Sequence, residues 1–87
     1  MKRRNLKKSI NNLCGELIAE CIALCEYEKV DRHAVSNVME SILMMQADMI
    51  CRISHVSPNP AKPFFRQLRE DLFTRTDAII DDIQALA

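Results

Sequence analysis

The chain has 87 residues, 48% hydrophobic and 28% charged, and its twelve Lys and Arg balance twelve Asp and Glu to a formal net charge of zero. That is the length of one domain, and the composition is too apolar for an intrinsically disordered segment. A single glycine excludes glycine-rich phosphate loops of the Walker or Rossmann type.

The start, Met1-Lys2-Arg3-Arg4, resembles the basic end of a secretory signal, but the apolar stretch that should follow is interrupted by Lys7, Lys8, Asn11 and Asn12. The most apolar run, Leu13 to Cys25, contains Glu16 and Glu20 and is not a membrane span. The expectation is a cytoplasmic protein with no membrane segment. Its four cysteines (Cys14, Cys21, Cys25 and Cys51) are then read as thiols in a reducing compartment.

The first predicted element is a helix over about residues 4–28. Leu6, Ile10, Leu13, Leu17, Cys21 and Leu24 follow the 3/4 spacing of one apolar stripe. Gly15 lies inside it at a cost of about 1 kcal/mol relative to Ala. With Ala19 four residues on, it forms a small-residue notch that could admit a close helix contact.

The second helix spans about 32–56. Asp31 can cap it by accepting from free N–H groups of the first turn, and Val30 and Val35 have the spacing of a hydrophobic staple. Val35, Val38, Ile42, Met45, Met49 and Val56 form its stripe, widened by Met39, Ile50 and Ile53. Arg52 takes a seam position, where its stem can cover apolar surface while the guanidinium reaches water. The methionines, including Met44, read as core or interface packing.

Pro58, Pro60 and Pro63 then stop any helix, because a residue before proline is pushed out of the α region. Pro60 or Pro63 can open a third helix over about 61–86. Its stripe is Phe65, Leu68, Leu72, Thr76, Ile79, Ile83 and Leu86. No alternation of period two is sustained, so strands are not expected. Three helices with short connections give an all-α, antiparallel up-down-up three-helix bundle, each helix about 37 Å long.

Such a thin bundle has apolar residues to spare. Cys14, Ile18, Ile22 and Cys25 form a second edge on the first helix, and Phe64, Phe73 and Ile80 lie off the seam of the third. A homodimer is expected to cover them, with Cys14, Gly15, Ile18, Ile22, Phe64, Phe73 and Ile80 as the candidate self-association residues.

The topology also sorts the charges. Residues 1–10 and 48–70 share one end, with nine basic and two acidic residues, +7; residues 20–40 and 71–87 share the other, with three basic and nine acidic, −6. Glu16 between them supplies the remaining −1. Two copies could therefore pair antiparallel, or an anionic partner such as nucleic acid could bind the basic end. The candidate anion contacts there are Lys2, Arg3, Arg4, Lys7, Lys8, Arg66 and Arg69, within the N-terminus and the 52–69 region. A solvated Lys-rich terminus is the plain alternative.

No catalytic constellation emerges. His33 has no paired nucleophile, and Glu16 and Glu20 lack the His partner that a di-metal carboxylate site requires. If residue n of the first helix faces about 58 − n of the second, Cys51 lies far from Cys21 and Cys25, so one chain assembles no four-ligand zinc set. A recognition-helix unit is not expected either, as the helices are long and their turns lack Gly. The expected role is that of a non-enzymatic interaction or assembly protein without cofactor or metal, or alternatively a nucleic-acid-associated protein using the basic end.

Overall fold

A computed structural model of the protein describes residues 3–27, 29–56 and 62–86. They form three helices: α1 (Arg3–Tyr27), α2 (Arg32–His55) and α3 (Lys62–Leu86). These bounds agree with the expected ones, while the expected ends at Glu28 and Ala61, with Pro58 and Pro60, lie outside the described residues. The molecule is a rod, 48 × 19 × 17 Å along its principal axes.

Local chemistry sets the α1–α2 turn. Asp31 has extended backbone angles (φ −69°, ψ 109°), and its Oδ1 accepts from the His33 N–H at 2.9 Å. Its carbonyl accepts the first helical bond, from the Val35 N–H at 3.1 Å. This cap is worth about 1 kcal/mol against Ala. Val30, just outside, packs against the core that contains Val35. Pro63 falls in the first turn of α3, where its missing N–H costs no helical bond. At the other end of α2, Val56 closes the helix with extended angles (φ −73°, ψ 151°).

α2 is the centre of the bundle. It packs along its length against both α1 and α3, whereas α1 and α3 touch each other sparsely. Its Val35, Val38, Ile42, Met45, Met49 and Ile53 are buried. α1 adds Ile10, Cys14, Leu17 and Cys21, and α3 adds Leu68 and Ile79. Full burial of an aliphatic side chain such as Ile42 contributes about 1.5–3 kcal/mol.

Two stripe assignments are corrected. Cys14 is fully buried at 0% exposure, so the face of α1 turned to α2 runs through Ile10, Cys14, Leu17 and Cys21, while Leu13 is half-buried. In α3 it is Phe64 that packs on the core, and its ring meets the half-buried Phe65 edge-on at 5.0 Å. Among the described residues no helix is long and apolar enough to cross a membrane.

Candidate functional site: the α1–α3 face and the basic end

Three polar contacts fix how the helices align. Gln46 Nε2 donates to Asn11 Oδ1 at 2.8 Å, which sets α1 antiparallel to α2 near the expected register. Arg52 Nη1 donates to Asp71 Oδ2 at 2.6 Å, and Arg75 Nη1 to Asp48 Oδ2 at 2.7 Å. Arg52 also pairs with Asp48 within α2 at 3.0 Å. Asp71, Arg52, Asp48 and Arg75 thus form a zigzag of alternating charge along the α2–α3 seam. Gln67 Nε2 extends it with a 2.9 Å bond to Asp71 Oδ1.

The hydrogen bond from Arg52, then that from Gln67, holds the Asp71 carboxyl below the usual carboxylate range. Reciprocally, Asp71 raises the Arg52 guanidinium. Sequence reasoning assigned these residues to the two ends and missed the network. The signal was an Asp/Arg pair at i, i+4 on each of two antiparallel helices, which brings unlike charges opposite in both positions. Each end loses one charge of each sign to the network, so the sums of +7 and −6 stand.

Because α2 reverses the chain twice, α1 and α3 run parallel. The sparse contact between them leaves a groove. Near the basic end it is a depression of about 400 Å³ lined by Leu6, Phe65, Leu68, Arg69 and Leu72. Further along, Leu13, Leu17, Ile80 and Ile83 form its floor, and Glu16, Glu20 and Gln84 its rim. Ile80 is 38% exposed, and Phe73, one helical turn beyond Arg69, is 63% exposed.

The candidate self-association residues do not form one patch. Cys14 is interior, and Ile18 and Phe64 are partly buried against the core. Ile22 is exposed but lines a different depression, between α1 and α2, with Cys25, Val35 and Met39. No neighbour lies within 4 Å of the position a Gly15 side chain would occupy, so the notch receives no helix. Phe73 and Ile80 remain on the α1–α3 side. Leu43 and Met44 are exposed on α2, Met44 beside the α2–α3 seam. The exposure of Met44 sets aside the core alternative of its expected packing and leaves the interface one.

At the basic end Arg4, Lys8, Arg66 and Arg69 are exposed and Lys7 is half-buried. Lys2 and the side chain of Arg3 lie outside what the structure describes. α1 and α3 both begin at this end without an acidic residue in the first turn, so the positive ends of two helix dipoles add to the basic side chains. At the opposite end both helices finish without a basic residue in the last turn. No family model, curated protein or solved structure matches this chain.

Of the cysteines, Cys14 and Cys21 are buried, Cys25 is half-buried and Cys51 is exposed. Cys51 therefore stands outside the core. Burial pushes the Cys14 thiol up. Burial does the same to Cys21, with the neighbouring charges of Cys25 and Glu20 adding to it. Among the described residues no three His, Cys, Asp or Glu side chains gather as a metal-binding set.

Proposed function

We propose that this chain is a non-enzymatic helical interaction and assembly protein that self-associates through its α1–α3 face. The observation that carries the reading is the open apolar groove, floored by Leu6, Leu13, Leu72 and Ile83, where a closed bundle would have helix-to-helix contact. The charge distribution favours a second copy as the occupant. α1 and α3 carry charges opposed to their dipoles at both ends, which costs a few tenths of a kcal/mol or more per charge. An antiparallel copy sets each basic end beside an acidic one and relieves that cost.

The test is solution mass by light scattering and sedimentation over a wide concentration range. A dimer that loosens as salt rises is expected, since exposed charges are screened beyond about 10 Å at 0.1 M salt. Ile80→Lys should shift the equilibrium to monomer while leaving helicity intact, because Ile80 is exposed on the α3 side of this groove. A monomer at all concentrations refutes the proposal.

A second reading rests on the basic end, where two helix N-termini converge with Arg4, Lys8, Arg66 and Arg69. It is that of a nucleic-acid-associated protein. Gel-shift binding to DNA or RNA should then weaken steeply with salt and with loss of residues 1–8. No shift at low salt refutes it.

A further inference from the structure

α3 carries a second stripe outside the core. Lys62, Arg66, Arg69, Phe73, Asp77, Ile80 and Gln84 are spaced 4, 3, 4, 4, 3 and 4, so they share one side of the helix. All seven are exposed. Arg69, Ile80 and Gln84 line the α1–α3 groove, which places the stripe along its α3 rim. Phe73 is the most exposed large apolar residue of the described chain and stands one residue from the midpoint of α3.

We infer that the assembly is a two-fold antiparallel dimer in which α3 pairs with α3 of a second copy, with Phe73 at the axis. This rests on the self-association proposed above. Pairing centred on Phe73 joins positions whose numbers sum to 146. Phe73 then meets its counterpart, Arg69 faces Asp77 of the second copy, and Arg66 faces Ile80, each contact occurring twice. The Arg66 stem can cover Ile80 while its head stays solvated.

The α1 rim fits the same arrangement. The Asn11–Gln46 and Asp48–Arg75 contacts put residue n of α1 at the height of about n + 66 of α3. Glu16 is thereby carried between Lys62 and Arg66 of the second copy. Glu16 and Glu20 stand on the groove rim with no cation near them on their own chain among the residues lining it. Centring on the midpoint also pairs the greatest length of α3.

Two experiments test the geometry. In a Cys25→Ser, Cys51→Ser background, Phe73→Cys should cross-link as a symmetric disulfide under mild oxidation, and Lys62→Cys should not. Separately, Arg69→Asp and Asp77→Arg should each weaken dimerisation about tenfold or more, because each creates two like-charge contacts. The double variant should recover to within about threefold of the parent. The positions varied on α3 are all exposed, and far-UV circular dichroism checks that each variant keeps its helices.

A dimer that cross-links through Lys62→Cys, or in which the double variant is not rescued, refutes the antiparallel Phe73 axis and leaves self-association standing. A parent protein that stays monomeric refutes both.

Discussion

Thr76 is 9% exposed and is the one buried polar side chain among the described residues. Its hydroxyl donates to the Met45 sulfur at 3.8 Å, a weak acceptor. Burying a hydroxyl costs about 1–3 kcal/mol in protein variants, and a thioether bond returns only part of that. Thr76→Val keeps the β-branched shape and nearly the same helix propensity while removing the hydroxyl. We expect it to stabilise the fold by about 1 kcal/mol, or about 4–8 °C in Tm for a domain of this size. Thr76→Ala should destabilise instead, because it also removes the methyl that fills the α2–α3 seam. The assay is urea unfolding at one fixed protein concentration, since self-association makes apparent stability concentration-dependent. An unchanged m-value would show that only stability has moved. If Thr76→Val loses 1 kcal/mol or more, the hydroxyl contributes net stability through its bond and this reasoning fails.

Gly15→Ala should add about 0.5–1 kcal/mol, because the site is helical, exposed and open to a methyl group; a loss in urea unfolding would reveal a contact at that face. Thiol labelling should modify Cys51 quickly and Cys14 and Cys21 only on opening, and equal rates at all four would contradict their burial. The raised Cys14 and Cys21 thiols bind protons more tightly when folded, so their contribution is complete below the unfolded value near 9 and is lost as pH rises toward the folded values. A Cys14→Ala, Cys21→Ala variant should therefore lose less stability between pH 8 and 10 than the parent, and identical losses would sink the point. Asp71 has the opposite sign: its lowered carboxyl contributes above the usual carboxylate value and loses that contribution as pH falls through the folded one. Asp71→Asn should flatten the acid limb of the stability curve, and an unchanged limb would show that the network does not couple to folding.

The helices and their limits were legible because each rests on local chemistry. The Asp31 cap, the Val30–Val35 staple and the proline run act within a few residues. The core face of α1 was not fully legible. Leu13 and Cys14 lie on adjacent strips of one helix, and only packing against α2 decides which turns inward. The same ambiguity exchanged Phe64 and Phe65. The charged network needed the α2–α3 register, which the Pro-rich connection does not specify. The candidate self-association set was scattered for a related reason: spacing places a residue on its own helix but not toward a particular neighbour. Ile22 and Ile80 both look surplus in sequence, yet they face different grooves.

The central position of α2 has a kinetic consequence. Nearly all tertiary packing joins helices adjacent in the chain, α1 with α2 and α2 with α3. Low contact order of this kind goes with folding in microseconds to milliseconds, because no long loop must close before contacts form. Two overlapping hairpins compete for one central helix, so either can form first and template the other. α3 has fewer buried residues than α1 and packs less extensively on α2, which makes it the helix to detach at least cost. Native-state hydrogen exchange should find it opening ahead of the α1–α2 pair.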